Sequence, residues 1–183
     1  AVFMLLSLLP VANLVAMSDL WAEVETEMAS VPTIGGKRYV DRHHKRDKLL
    51  VRERIEAFVD PDTPFLELSP LAAWGTDDPI GAGTVNGIGI VEGTEVMISG
   101  TDLTVRGGSA NPNTLAKGFR VYEIVRRNRL PLVIFNESAG ADLPRQADIF
   151  VPGGAQFKNL TQLSRAGIPT ITLGFGPATA GGA

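Results

Sequence analysis

The sequence of 183 residues contains no cysteine and only two histidines, His43 and His44, which are adjacent. The absence of cysteine excludes a disulfide framework, a thiolate metal site and a cysteine nucleophile, and it is typical of a reducing compartment. Because the two histidines lie in a charged stretch, we expect them to be exposed and to form no ordinary zinc site. No metal is therefore expected in this chain. A formal net charge of −3 gives no reason to expect nucleic-acid binding.

Charge is also missing from the start of the chain, since residues 1–18 contain no charged side chain. Ser7, Pro10 and Asn13 interrupt this apolar stretch, so we do not expect a membrane span. It also lacks the basic leader of a signal peptide. We interpret it as an extension that is either non-native or poorly ordered, with a short amphipathic anchor as the alternative. A cytoplasmic protein is expected, or a mitochondrial-matrix protein if the source is eukaryotic.

The remaining chain divides into two segments. Residues 19–50 are expected to hold a short amphipathic helix at 19–29 and the beginning of a charged stretch. That stretch, residues 37–54, contains eight basic and three acidic side chains. A solvated helix face ending before residue 60 is the favoured interpretation, and a site for phosphate or an acidic partner is the alternative. Residues 51–183 are interpreted as an α/β domain that is incomplete at its C-terminus.

Hydrophobic periodicity places the elements of this domain. It predicts a β-hairpin from strands at 84–91 and 95–99, helices at 114–128 and 158–164, and strands at 132–136 and 170–174. A strand, helix and strand joined by short links predict parallel pairing through crossover connections.

Two turns rich in glycine and alanine carry the functional signal. Residues 138–142 (Ser-Ala-Gly-Ala-Asp) and 179–183 (Thr-Ala-Gly-Gly-Ala) each follow an apolar strand. Small residues let a substrate oxygen approach the backbone, and a helix N-terminus leaves N–H groups available to donate to it. Either turn alone is more typical of an ordinary link between a strand and a helix. Together, converging on one point, they would form an oxyanion hole without a catalytic side chain.

Motifs for other chemistries are missing from the sequence. No Ser-His-Asp set can be assembled, and Ser138 lacks the Gly-x-Ser-x-Gly turn of hydrolases. There is no phosphate-binding loop, and the dinucleotide pattern that begins at Gly174 has Thr179 in its third glycine position. What remains is stabilisation of an enolate by backbone amides.

Six ordered blocks of sequence match one known family. They lie at residues 52–67, 87–89, 102–108, 128–131, 137–146, and 149–154 with 179–183. Over residues 52–183 the chain resembles the N-terminal domain of the carboxyltransferase (β) subunit of biotin-dependent acyl-CoA carboxylases. The methylcrotonyl-CoA carboxylase branch is the nearest, and the chain is identified as a fragment of that domain.

The resemblance implies a crotonase-like (ClpP/crotonase) fold, a ββα superhelix that is truncated here and preceded by a helical extension. It also implies a reaction in which carboxybiotin provides CO₂ for the α- or γ-carbon of an acyl-CoA, through an enolate. The biotin would be carried by a partner α subunit with biotin carboxylase and biotin carboxyl carrier functions. The family further implies homo-oligomers, with hexamers as the usual assembly.

Carried over residue by residue, Gly140 and Ala141 match the first oxyanion turn, and Gly181 and Gly182 match the second. The expected substrate-binding residues are Ser138, Ala139, Ala180, Gly107, Gly108, Arg106 and Arg145. Most family members have two glycines where this chain has Ala139-Gly140, so the methyl group could narrow the acyl pocket. The two arginines could bind CoA phosphates or a partner, or they could be structural ion-pair residues.

Two further interpretations stay open. Another crotonase-superfamily acyl-CoA enzyme, such as a hydratase or decarboxylase, would usually carry a glutamate or similar acid/base group beside the second turn. The polypeptide as it stands could also be an inactive and marginally stable fragment, because its last strand would lack a covering helix.

Overall fold

The computed structural model describes residues 2–179 and divides the chain into two compact units, Ala1–Pro32 and Thr33–Ala183. The first unit is a helix, α1, at Val2–Ser30, with a 3-10 turn at Val31–Thr33 after it. The helix predicted at 19–29 therefore begins much earlier, because the leucine-, methionine- and alanine-rich residues before it have high helix propensity. Among residues 2–179 there is no helix with the length and apolar character needed to cross a bilayer. The boundaries proposed after residues 18 and 50 stay predictions.

The second unit opens with two short helices, α2 at Lys37–His44 and α3 at Val51–Phe58. The charged stretch thus ends in a helix before residue 60, as predicted. The expectation that both histidines are exposed is wrong for His43, which is 8% exposed. Its ring lines a groove between α2 and the segment around Leu103. His44 is exposed and pairs with Glu53 at 2.9 Å.

Between residues 2 and 179, seven strands form two sheets. They are β1 Leu66–Glu67, β2 Thr84–Val91, β3 Thr94–Thr101, β4 Ser109–Ala110, β5 Leu132–Ser138, β6 Gly140–Ala141 and β7 Thr170–Ala178. The main sheet has the order β1-β2-β3-β5-β7, in which the first three strands are antiparallel and β3, β5 and β7 are parallel. A separate ladder pairs β4 with β6 in parallel. The predicted hairpin and the predicted parallel strands are both confirmed.

The hairpin turn explains the register of β2 and β3. Glu92 and Gly93 both adopt positive φ, at 49° and 71°, which matches the right-handed twist of a two-residue hairpin. The Asp60 carboxylate accepts hydrogen bonds from both of their N–H groups, each at 2.8 Å. The turn is thereby tied to the chain just after α3.

Two longer helices cover one face of the sheet, α4 at Pro112–Asn128 and α5 at Gln146–Arg165. The Asn111 side chain caps α4 by accepting from the Thr114 N–H at 2.9 Å. The second helix begins twelve residues before the predicted 158, and Pro152 lies within it. Apolar contacts hold this early part, since Ile149 is 5% exposed.

Side chains that alternate along the strands separate two hydrophobic cores. Met97 and Leu132 face α4 and α5, where they pack with Leu163, whereas Ile98 points to the opposite face and packs with Ile55 of α3. Period-two alternation thus gives a sheet covered on both faces by helices, and the predicted α/β class is confirmed.

Candidate active site

The predicted first oxyanion turn lies where β5 leaves the sheet, beside the glycine-rich segment at residues 106–108. Ser138 is buried, and its Oγ donates to the Gly108 carbonyl oxygen and accepts from the Gly140 N–H, both at 3.0 Å. The Ala139 N–H donates to the Gly107 carbonyl oxygen at 3.1 Å. The structure therefore brings these five predicted site residues into one contact network.

Close backbone approach accounts for the glycines in this network. Gly108 has φ +71°, and a Cβ there would lie 2.7 Å from the Glu137 carbonyl oxygen. Gly140 has φ +99°, in the region that L side chains rarely adopt. Gly107 and Ala139 are exposed, so the backbone at these two positions is open to an approaching group and is flanked by no side chain of its own larger than a methyl group.

The expectation that a helix begins directly after this turn is wrong. Gly140 and Ala141 form β6, a 3-10 turn follows at Leu143–Arg145, and α5 begins only at Gln146. The reason is the adjacent β4, which offers a parallel ladder to the chain leaving the turn. Any oxyanion donor here is therefore a strand amide and not a helix N-terminus.

The direction of the amides in β6 distinguishes the two predicted donors. The Gly140 N–H already donates to Ser138 Oγ, and the Asp142 N–H donates to the Ala110 carbonyl oxygen at 2.9 Å. Successive N–H groups of an extended chain point in opposite directions. The Ala141 N–H is therefore directed away from β4, which makes it the better placed of the two predicted donors.

The predicted second turn lies outside the described residues, which include none of Ala180, Gly181 and Gly182. The chain immediately before it runs beside the first turn. The Thr179 N–H donates to the Ser138 carbonyl oxygen at 3.3 Å. The Cγ2 atom of Thr179 would lie 3.4 Å from a Cβ placed on Gly140. The entry to the second turn is thus in contact with the first.

Arg106 and Arg145, which were candidates for binding CoA phosphates, both pair with Asp78. Their Nη1 atoms lie 3.3 Å and 2.6 Å from Asp78 Oδ1, and Asn113 donates to Oδ2 at 2.8 Å. Burial alone would raise the pKa of Asp78, but the hydrogen bonds from Arg145 and Asn113 hold that pKa below its ordinary value. These contacts favour the ion-pair interpretation of both arginines.

A groove of about 210 Å³ opens between α2 and the segment before Gly107. Its lining residues are Tyr39, Arg42, His43, Arg46, Leu103, Thr104 and Gly107. Within residues 2–179, Arg42 and Arg46 form no ion pair, in contrast to Arg106 and Arg145. The groove is therefore a cationic surface that shares Gly107 with the predicted turn. Sequence reasoning noted the basic stretch but did not place it beside the site.

Sequence reasoning missed a buried carboxylate at the end of β5. Glu137 is 1% exposed and pairs with Lys48 and, at 2.9 Å, with Arg54. Burial alone would raise the pKa of Glu137, but hydrogen bonds from the two cations lower it below its ordinary value. The available signal was a glutamate shortly after the apolar run Leu132–Phe135 of β5, since such a residue needs a charged partner when buried.

Among the described residues no group of three or more histidine, cysteine, aspartate or glutamate side chains is arranged to hold a metal ion. The chemistry available at the surface described above is hydrogen bonding from backbone amides to an anionic oxygen, beside a cationic groove.

Comparison with known proteins identifies the family. Residues 42–183 match the carboxyl transferase domain. The chain belongs to the carboxyl transferase domain family. It is 57% identical over 167 residues to a probable biotin-dependent acyl-coenzyme A carboxylase beta2 subunit of Mycobacterium tuberculosis, covering 91% of this chain and 32% of that protein. It is 42% identical over 173 residues to a probable mitochondrial methylcrotonoyl-CoA carboxylase beta chain of Drosophila melanogaster, covering 91% and 30%.

A solved structure gives the same assignment for the fold. The 12S transcarboxylase, solved as a hexamer with methylmalonyl-coenzyme A and methylmalonic acid bound, superposes with a TM-score of 0.80 at 27% identity. The match covers 88% of this chain and 32% of that one. The carboxyl transferase domain thus has the crotonase-like fold that the resemblance implied. The chain spans about a third of the length of the relatives that it matches.

Proposed function

We propose that the protein containing this domain is the carboxyltransferase component of a biotin-dependent acyl-CoA carboxylase. The observation that carries the proposal is the open turn at residues 138–141, where the Ala141 N–H is directed away from the β4 ladder. An enolate formed from an acyl-CoA has its charge on the thioester oxygen, and a backbone N–H facing that oxygen would stabilise it. Gly181 and Gly182 complete the proposed set of donors, and Gly140, whose N–H donates to Ser138 Oγ, gives the turn its backbone conformation.

The surface around the turn suits an acyl thioester. Exposed Gly107 and Ala139 leave room for the substrate to approach the backbone, and the Ala139 methyl group would limit the acyl pocket. The groove lined by Tyr39, Arg42 and Arg46 lies directly beyond Gly107. Its unpaired arginines would bind the phosphates of CoA, while the aromatic ring offers a face for the adenine.

Carboxybiotin, held by a partner subunit, is the CO₂ donor in this proposal. The part of the site formed by this chain fits such a donor, because Gly107 and Ala139 are exposed and neither carries a side chain larger than a methyl group. The α subunit with biotin carboxylase and biotin carrier functions is the proposed partner. A hexamer is the proposed assembly, by analogy with the hexameric 12S transcarboxylase. A cytoplasmic or mitochondrial-matrix location is proposed.

The test uses the full-length protein with its biotin-carrying partner. ATP-dependent fixation of labelled bicarbonate is measured on acetyl-, propionyl- and methylcrotonyl-CoA, with and without avidin. We expect fixation that avidin abolishes. CoA-dependent turnover that persists with avidin would instead indicate a hydratase or decarboxylase, and the absence of any fixation would refute the proposal.

The donor assignment is tested by Ala141→Pro, which removes the N–H, with Ala141→Gly as the matched control that retains it. Loss of one oxyanion donor is expected to lower kcat by about 10²–10³. The glycine variant should keep a kcat near that of the wild type. Equal activity of the two variants would show that the Ala141 N–H is not a donor.

A further inference from the structure

The parallel strands β5 and β7 change register at the edge of the proposed site. Asn136 pairs with Gly174, but Ser138 pairs with Ala178. One residue of β5 therefore lies opposite three residues of β7, at positions 175–177. Such a bulge leaves backbone groups without ladder partners and bends the strand, so it requires other contacts to hold it.

Glu137 and Lys48 provide those contacts. The Lys48 ammonium group donates both to Glu137 Oε1 and, at 3.2 Å, to the Phe175 carbonyl oxygen in the bulge. On the other side of the carboxylate, Arg54 donates to Oε2 at 2.9 Å, and its guanidinium carbon lies 4.4 Å from the centre of the Phe175 ring. One buried carboxylate thus connects β5, the bulge of β7 and helix α3.

The bulge itself is packed against this carboxylate. A Cβ on Gly176 would overlap the Glu137 carboxyl group and would lie 2.8 Å from Lys48 Nζ. Only a residue without a side chain fits there unless the ion pair moves. The Phe175 ring also packs edge to face on Phe135, with 5.3 Å between centroids.

The register change determines where the chain emerges. Beyond the bulge, the Thr179 N–H bonds to the Ser138 carbonyl oxygen and the Thr179 side chain lies beside Gly140. Without the extra residues, Ala178 would not lie opposite Ser138. The contact of Thr179 with the 138–141 turn therefore depends on the bulge.

We infer that Glu137 and Lys48 are positioning residues for the proposed reaction, because they hold the bulge that brings Thr179 into contact with the 138–141 turn. The inference rests on the proposed function. Neither side chain touches the substrate in this scheme, and both act through the backbone at 175–179. A displacement of about 1 Å of groups that orient a substrate can lower a rate by about 100-fold.

The experiment uses Lys48→Met in the full-length protein with its biotin-carrying partner. This variant removes the donor to Phe175 but leaves Glu137 paired with Arg54. The matched control is Arg52→Met, which breaks the α3 ion pair of Arg52 with Glu67 (2.6 Å) away from the bulge. We expect kcat to fall about 10- to 100-fold in Lys48→Met at a temperature well below its melting point. The control should keep the wild-type kcat even if its melting temperature falls by as much as that of Lys48→Met.

Gly176→Ala is the second variant, since it displaces the bulge while keeping every charge. It should lower kcat in the same range, and hydrogen exchange at residues 175–179 should be faster in both variants than in the control. Wild-type kcat in a folded Lys48→Met or Gly176→Ala protein, or an equal loss in Arg52→Met, would overturn the inference. Failure of the proposed function is distinguishable, because the wild-type protein itself would then show no avidin-sensitive carboxylation.

Discussion

Replacing Lys117 with methionine is expected to change how the stability of the domain depends on pH. Lys117 projects from α4 into the interior, where it is 5% exposed. Its ammonium group donates to the carbonyl oxygens of Gly81 at 3.0 Å and Thr84 at 2.7 Å. Lys117 thus holds the segment at residues 81–84, whose backbone is unusual because Gly81 and Ala82 both adopt positive φ.

Burial lowers the pKa of Lys117 from its ordinary 10.5 to about 8. Between these two values the unfolded chain holds the proton on this lysine and the folded domain does not. Raising the pH through this window therefore favours the folded state, by about 1.4 kcal/mol for each pH unit. From pH 8 to about pH 9.5 the unfolding free energy of the wild type should rise by roughly 2 kcal/mol relative to that of Lys117→Met. Below pH 8 the difference in unfolding free energy between the two proteins should be constant.

The informative quantity is the change with pH of the difference in unfolding free energy between the two proteins, because the substitution has two opposing effects at any single pH. It leaves two carbonyl oxygens without a donor, and it also removes a buried charge. The full-length protein is unfolded in urea at each pH, and its unfolded fraction is measured by pulse proteolysis, with peptides from residues 84–101 as the readout. These data give the free energy of unfolding at each pH. Lys158→Met, at an exposed lysine of α5, is the control and should track the wild type. A difference between wild type and Lys117→Met that stays flat from pH 7 to about 9.5 would refute the assignment of a lowered pKa.

Three further substitutions have expected effects on the thermal unfolding of the same protein. Gly140→Ala should cost about 1–3 kcal/mol, because φ is +99° there, and an unchanged melting temperature would show that the turn relaxes freely. Leu163→Ala, at a side chain only 1% exposed, should cost about 2–5 kcal/mol, whereas a loss below 1 kcal/mol would place it outside the core. Asp60→Ala removes the acceptor for Glu92 and Gly93 and should cost about 1–2 kcal/mol, with Asp60→Asn retaining part of that stability.

Most of the elements could be predicted from local pattern. The hairpin followed from alternation around Glu92-Gly93, and α4 from apolar residues at helical spacing before Asn128. The first part of α5 was missed because Pro152 and the two glycines after it are weak helix formers. Their helical state comes from packing against the rest of the domain, which local propensity does not contain.

The candidate site was predictable to the extent that it consists of small residues in ordered motifs. Gly107, Gly108, Ser138 and Ala139 were identified from sequence, and the structure brings them together. The partners of Arg106 could not be predicted, because Asp78 reaches it only after the chain folds back over 28 residues.

The sequence by itself determined the family, the α/β class, the parallel half of the sheet and the small residues of the turn. These follow from motifs and from periodicities that are local in the chain. Only the tertiary structure decided that Gly140 and Ala141 lie in a strand and that Lys48 and Glu137 meet across 89 residues beside a bulge. Ion pairs and register shifts depend on which distant segments are packed together, and that is a property of the folded chain as a whole.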